Sequence, residues 1–286
     1  MILWLQKGGI ATLSLLLAIF SSAMVSIFLR LGENKTQNIA LLAVNYMMCT
    51  VLSAAFVPWG QLPSRGLGLT AALGLGNGVL YLVSFVLLQW NVRKNGVVLS
   101  ATFMKLGLLV TMAISVCFFG EIPAPVQAVG FVLAVAAIVL INYRKGCGNK
   151  GFHPGLLWLL LCGGMADAMS KIFEESADPA LAPVFLLWTF FIALLLCLGL
   201  MAKEKQRPGK RELLYGMLIG IPNFLSTRFL LGALGSLRAV LVYPAYSVGT
   251  ILVVTLTGVL AFRETLRKQQ WIALGMILAA LVLLNV

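Results

Sequence analysis

Four ionisable side chains, Lys105, Asp167, Lys171 and Arg228, stand inside otherwise apolar runs of this sequence. A charge buried in such a run costs on the order of 2.5–3.5 kcal/mol on membrane-insertion scales, and is kept where it faces a cavity or a partner. None of the four has a neighbouring nucleophile or a metal-ligand set, and no Gly-rich phosphate loop precedes them. The chemistry open to them is binding of charged groups, so the reading is a non-enzyme without cofactor or metal. Depth along the runs separates them, at about 1.5 Å of rise per helical residue. Asp167 lies six residues from the end of its run and Arg228 six from the end of its own, on the same side, so the two are expected to pair. Lys171 is one turn beyond Asp167 on the same face, near enough to the end to snorkel. Lys105 enters from the other side, eight residues into its run, with no acid level with it. It is therefore the cation expected to hold an anionic group. Arg228, Lys171 and Asp167 serve either as secondary contacts or as an internal salt-bridge cluster or gate.

Uncharged polar groups at helical spacing extend this set. Asn77, Tyr81 and Ser84 share one face, as do Asn223 and Thr227, and Ser22 and Ser26 are four apart. Tyr243, beside the helix-breaking Pro244, and Tyr246 add polar tips on aromatic bodies. Of these, Tyr243, Asn77, Tyr81, Asn223 and Ser26 are the expected pocket residues beside the four charges. Knitting helices together is the competing use of each. Gly74-Leu75-Gly76-Asn77-Gly78 lies within an apolar run and suits close helix packing rather than phosphate binding. The five cysteines are scattered without CxxC or Cys/His spacing and read as small buried hydrophobes. The single histidine, His153, reads as a solvated loop residue.

The elements that must position these groups follow from composition. The chain has 286 residues, 60% hydrophobic and only 10% charged, with mean hydropathy +0.99. Soluble domains are roughly half apolar and about a quarter charged, so a soluble monomer and a disordered chain are both excluded. Apolar runs occupy Gly8–Leu29, Ile39–Val57, Leu67–Val86, Val97–Phe119, Val126–Tyr143, Gly155–Phe173, Ala182–Met201, Leu213–Leu234, Ala239–Phe262 and Gln270–Leu284. Each is near bilayer length. Lipid leaves no partner for an open backbone group and strand alternation is absent, so these are helices: ten transmembrane spans of an all-α integral membrane protein. Trp59, Trp90, Trp158 and Trp271 lie near span ends, where an interfacial belt explains them, whereas Trp188 is deeper and reads as core. The net charge of +12 would suggest nucleic acid in a soluble chain. Here the loops after spans 1, 3, 5, 7 and 9 hold 15 Lys and Arg, while the termini and the other loops hold only Lys7, Arg65 and Arg238. The densest segment, 203–211, is then an orientation signal and not a nucleic-acid site. This bias predicts odd-numbered loops in the cytoplasm and both termini outside.

The chain also echoes itself. Ala23-Met24-Val25-Ser26-Ile27-Phe28 recurs as Ala168-Met169-Ser170-Lys171-Ile172-Phe173, 145 residues on. At an offset of 143, Gly96-Val97-Val98-Leu99 answers Ala239-Val240-Leu241-Val242, Phe119-Gly120-Glu121 answers Phe262-Arg263-Glu264, and Val139-Leu140-Ile141-Asn142 answers Val282-Leu283-Leu284-Asn285. Two five-helix units are expected at 1–145 and 155–286, joined by a loop at 146–154. Five is odd, so the second enters the membrane from the opposite side, and inverted repeats of this kind are a transporter signature. The echo also argues that the first span is retained and is not a cleaved signal peptide.

These residues resemble the drug/metabolite transporter superfamily, and most closely its bacterial ten-helix EamA branch. Glu121 and Glu264 occupy the positions of that family's glutamate after helices four and nine. Gln127 and Gly130, then Gln270 and Gly275, resemble its following Gln and Gly positions, and Tyr243-Pro244 its proline early in the ninth helix. The first repeat has Ser100-Ala101 there. The resemblance covers the whole chain and implies two inverted repeats around a central pocket. It says little of the substrate, since the family carries amino acids, nucleotide sugars, sugar phosphates, cations and drugs. Many ten-helix relatives are drawn with both termini in the cytoplasm, against the orientation expected from the loop charges.

The expected function is a secondary transporter of a small organic solute by alternating access, in a cell membrane, read as a bacterial inner or plasma membrane. No ATP-binding motif points to a self-powered pump. Three buried cations against one buried acid favour a solute with a carboxylate or phosphate, such as an amino acid or related metabolite. The partners implied are that solute, the bilayer and a coupling ion (a proton or a counter-substrate), for a monomer or homodimer with no nucleic acid. A second reading is proton-coupled export of cationic or aromatic compounds with Asp167 as proton carrier, which Lys171 one turn away opposes by keeping it ionised. A third, a lipid-handling or structural membrane protein, requires dry packing of Lys105 and Arg228.

Overall fold

The computed structural model describes residues 2–32, 38–60, 62–63, 66–107, 109–111, 113–114, 124–142, 154–234 and 239–283. Among these are ten α-helices and no strand: α1 (Ile2–Gly32), α2 (Asn38–Ala55), α3 (Leu67–Asn95), α4 (Val97–Lys105), α5 (Pro125–Asn142), α6 (Pro154–Ser176), α7 (Ala182–Lys203), α8 (Lys210–Leu234), α9 (Ala239–Leu260) and α10 (Lys268–Leu283). A 3₁₀ turn at Pro179–Leu181, capped by the Asp178 side chain, leads into α7. The connecting loop expected at 146–154 lies, but for Pro154, outside the described residues, and so does Glu121.

By length and composition, α1, α3, α6, α7 and α8 can each cross a bilayer; α2, α4, α5, α9 and α10 are shorter apolar helices. The shortest departs from expectation. The run Val97–Phe119 reads as one span, yet α4 stops at Lys105. Gly107 N–H bonds Met104 O (3.2 Å), and Val110 N–H bonds Gly107 O (2.8 Å), three-residue closures that tighten the chain before helical residues resume at 109–111. Gly107 sits against Gly164 of α6, where a Cβ would stand 2.7 Å from the Gly164 nitrogen. Close backbone approach thus holds the break in place.

The helices pair mainly across the two halves. α1 packs on α8 and α9, and α6 correspondingly on α3 and α4; α2 packs on α7 and α8, and α7 on α3; α4 meets α9, and α5 meets α10. Exchanging each helix with the one five places later maps this set onto itself. The fine contacts follow the same exchange. Gly74 and Gly78 of α3 lie on Phe185, Trp188, Thr189 and Ile192 of α7, while Gly216 and Gly220 of α8 lie on Leu41, Val44, Asn45 and Met48 of α2. A Cβ at Gly78 would come within 2.6 Å of Thr189 O, and one at Gly220 within 2.7 Å of Asn45 O. In a bilayer, where helices gain little by hiding apolar surface from each other, small residues with four-residue spacing permit the close packing that replaces it. The helix starts repeat too. Ala124 N–H donates to Gln127 Oε1 (3.0 Å) and Arg267 N–H to Gln270 Oε1 (2.8 Å), each glutamine reaching back over the first turn of α5 or α10.

Trp59, Trp90, Trp158 and Trp271 are exposed near helix ends. Trp188, expected in the core, is 36% exposed, because only its Cβ faces Gly74 while its ring turns outward, edge-on to Phe191. Cys49 and Cys197 are buried, and they and Cys162 are free thiols.

Candidate functional site

A central cavity of about 120 Å³ lies between the halves. Among the described residues its walls come from α1, α3 and α4 of the first half and from α6, α8 and α9 of the second, three pairs related by the helix exchange. Each wall contributes polar groups to an apolar frame. Ser22 and Ser26 come from α1, Tyr81 and Ser84 from α3, Lys105 from α4, Asp167 and Ser170 from α6, Asn223, Ser226 and Thr227 from α8, and Tyr246 from α9. The α1 and α6 walls are registered by the 145-residue offset, so Asp167 stands where the first half has Ser22. The cavity's acid thus belongs to one repeat and its base to the other.

Lys105 is the last residue of α4, at the lip of the break, so the discontinuity places its ammonium in the cavity. Broken helices at such positions are where membrane carriers commonly build their sites. The Lys105 Nζ lies 3.8 Å from the centroid of the Tyr246 ring, a cation–π contact. Tyr246 Oη and Ser226 Oγ are 2.9 Å apart, and Ser226 Oγ also donates to Ala18 O (3.4 Å), which fixes the ring under the ammonium. Asp167 opens onto the same free volume and, among the described residues, has no hydrogen-bond or ion-pair partner. Lys105 likewise has no carboxylate within ion-pair distance among them. Unlike charges therefore face one small cavity, close enough to feel each other and not in contact.

Ring contacts and hydrogen bonds hold the aromatic side of the cavity. Tyr81 stacks on Phe85 (5.9 Å) and meets Phe190 edge-on (5.6 Å), with its Oη 3.5 Å from Thr227 Oγ1. Tyr46 Oη donates to Tyr81 O (3.1 Å). Asn223 Nδ2 donates to Asn45 Oδ1 of α2 (3.3 Å), tying the wall to the helix behind it. Pro222 inside α8 withholds an N–H from the helix ladder immediately before Asn223.

Of the residues singled out by sequence, Lys105, Asp167, Tyr81, Asn223 and Ser26 line this cavity. Three stand elsewhere. Arg228 does not pair with Asp167. Its guanidinium lies 3.9 Å from the Phe56 ring, in a second cavity of about 460 Å³ between the ends of α2 and α8 and the start of α7. Residue counts along a run carry no bearing about the helix axis, and α8 turns Arg228 toward α2. Lys171 bonds Glu175 one turn on (2.7 Å) and does not line the cavity. Asn77 donates to Thr189 Oγ1 (3.3 Å) at the Gly74–Gly78 crossing, a contact between helices. The Tyr243 side chain lies outside the described residues. Ser170 and Ser226 carried no separate signal, since a lone serine in an apolar run marks nothing. Ser22 and Ser26, four apart in sequence, both face the cavity, whereas the turn of α8 that carries Ser226 is recognised only once the neighbouring helices are in place.

Similarity to other proteins agrees with this arrangement. The profile of the EamA-like transporter family matches the chain twice, over residues 9–143 and 153–286. A protein of Haemophilus influenzae (strain ATCC 51907 / DSM 11121 / KW20 / Rd), described only as uncharacterized, is 24% identical over 285 residues, covering 94% of this chain and 96% of that one. A solved structure, described only as "Crystal structure of protein", superposes with a TM-score of 0.63 at 16% identity over 96% of each chain, a likeness of fold.

Proposed function

We infer the solute class from one premise: the chain belongs to the EamA-like transporter family and is a multi-pass membrane transporter of small solutes. The solute we propose carries both an anionic and a cationic group, with the anion on Lys105 and the cation at Asp167. The observation that carries this is the pair itself, an ammonium and a carboxylate without counter-ions among the described residues, facing one cavity walled by both repeats. Asp167 is exposed and Lys105 half-buried at the cavity, so both charges are open to a bound group. A zwitterion engages both at once, and charge-assisted hydrogen bonds are the strong ones. The π-face of Tyr246 beneath Lys105 and the hydroxyls of Ser22, Ser26 and Thr227 suit a compact polar solute of amino-acid size. The symmetry of the walls supports alternating access: each repeat supplies three of the six lining helices among the described residues, so a rocking of one half against the other would expose the cavity to one side at a time.

A thermal-shift panel on purified protein tests the solute class. Its three arms are L-α-amino acids, their desamino carboxylates and their decarboxylated amines. Stabilisation by amino acids and by neither single-charge arm is the expected outcome. Equal stabilisation by amines alone would overturn it.

That outcome would favour a second reading, proton-coupled export of cationic compounds with Asp167 as proton carrier. One observation supports it: Lys171, which would otherwise hold Asp167 ionised, is engaged by Glu175. Substrate-dependent proton flux in proteoliposomes that disappears in Asp167→Asn would establish it.

A further inference from the structure

Where α1 and α9 end and α4 begins, one carboxylate gathers the ends of three cavity-lining helices. Glu264 follows α9. Its Oε1 accepts from Val97 N–H (2.8 Å) and its Oε2 from Val98 N–H (3.2 Å), so it caps the start of α4 from another helix. Arg30, at the end of α1, lies 3.6 Å from Oε1. Gly96 has φ +83, and a Cβ there would stand 2.9 Å from both carboxylate oxygens. Only glycine both adopts that turn and leaves room for the carboxylate. Beneath this contact Gly258 of α9 packs directly on Val98 of α4. Both α4 valines are buried, as are Leu88 and Ala101 below them, the residues that floor the cavity on this side. The ion pair is only partly exposed, with the Arg30 and Glu264 side chains at 28% and 11%.

We propose that Glu264 is the latch of this face. Its carboxylate holds the ends of α1, α4 and α9 together in the conformation seen, which closes the cavity on the side of the basic loops, and the transport cycle must release it to open that side. The inference rests on the transport reading for its purpose, though not for its geometry. A helix N-terminus favours an anion, and here both carboxylate oxygens are engaged by it while Arg30 adds a charge. Separating α4 from α9 therefore breaks the charged cap, and separating α1 from α9 breaks the ion pair. The same contact sets the axial position of α4, whose far end carries Lys105, so Glu264 is a positioning residue for the cavity as well.

Access to the cavity, rather than flux, tests the latch. In a cysteine-free background, Ser22→Cys places one thiol on the cavity wall. Its reaction with an impermeant methanethiosulfonate is measured in right-side-out and inside-out vesicles. With Glu264 present, labelling from the basic-loop side should be slow. Glu264→Gln keeps one acceptor oxygen but turns an amide N–H₂ toward a backbone donor. It should raise labelling from that side about tenfold or more, the shift expected on losing one charged hydrogen bond. Labelling from the opposite side should fall or stay level. Arg30→Gln removes the ion pair and spares the cap, and should give a smaller rise on the same side; it covers the case in which Glu264→Gln fails to fold. Unchanged labelling from the basic-loop side in both variants, or an equal rise from both sides, overturns the latch. A wild-type protein that moves no solute in proteoliposomes would instead sink the transport reading and leave the labelling result standing.

Discussion

Crossing two substitutions with two truncated ligands separates recognition by Lys105 and Asp167 from a structural role for either. Lys105 Nζ touches the Tyr246 ring, and Asp167 has no partner among the described residues. Removing either charge therefore breaks no direct ion pair in the protein, and the loss measured is mainly the ligand's own bond. A hydrogen bond to a charged group contributes roughly 1.5–3 kcal/mol. At about 1.4 kcal/mol per tenfold, Lys105→Gln should weaken binding of a zwitterionic ligand by roughly 10- to 150-fold. Asp167→Asn should do the same through the ammonium. For the decarboxylated amine, Lys105→Gln should change affinity by no more than about twofold, and for the desamino carboxylate Asp167→Asn should be equally silent, because each variant then lacks a bond the ligand could not make. Lys105→Arg keeps the charge, replaces a compact ammonium with a planar fork and should retain partial affinity. Isothermal titration on detergent-purified protein reads the affinities, and counterflow in proteoliposomes reads transport. The reasoning is refuted if Asp167→Asn weakens the desamino carboxylate as much as the amino acid. It is refuted equally if Lys105→Gln leaves zwitterion binding unchanged.

Other expectations are simpler to check. Gly78→Ala forces a methyl against Thr189 O and Ile192, and should destabilise by roughly 1–3 kcal/mol, seen as a lower Tm, as overpacking does. Gly199→Ala, with nothing within 4 Å of the added carbon, should be neutral or gain up to about 1 kcal/mol from helix propensity. Arg228→Gln should alter solute affinity less than about threefold, since its guanidinium lies outside the central cavity; a loss matching that of Lys105→Gln would show that the two cavities act as one. A single cysteine in the 203–211 segment should resist an impermeant thiol reagent in intact cells if the loop charges set orientation, and rapid labelling would place that loop outside.

Helices, halves and the charges Lys105 and Asp167 were legible because each leaves a local mark; that the two face one cavity was not, since depth assigned Asp167 to Arg228 and left Lys105 without an acid. Runs of apolar residues set the helices, and residues recurring at offsets of 143 and 145 set the halves. Lys105 and Asp167 stood out because a charge in an apolar run is conspicuous. Rotation about the helix axis was not legible. Arg228 and Asp167 share a depth, but a helix turns about 100° per residue, and without knowing which face of α8 meets α2 the two cannot be told apart from a pair. Asn77 illustrates the other blind spot. Its polarity reads alike whether it meets a ligand or Thr189, and the neighbouring Gly74 and Gly78 carried the clue that this face of α3 is a helix contact. The break after Lys105 escaped notice because Leu106-Gly107-Leu108 contains no proline and its apolar run continues unbroken. Its cause, the approach of Gly164, lies more than fifty residues away.

The crossing of nearly every extensive helix contact from one half to the other has a consequence for how the chain is born. Helices α1 to α5 leave the ribosome first, with the faces of α2 and α3 that will receive α7 and α8 still turned to lipid. Asn45 and Asn77 must then wait in the bilayer until Asn223 and Thr189 are synthesised. During that interval the N-terminal half has only its lesser contacts, chiefly α3 on α4, to hold it together. A chain cut within the 143–153 segment should accordingly regain its fold only when both pieces are made in one cell. A lone first piece, whose own loop charges fix one orientation, should stay unassembled and be degraded.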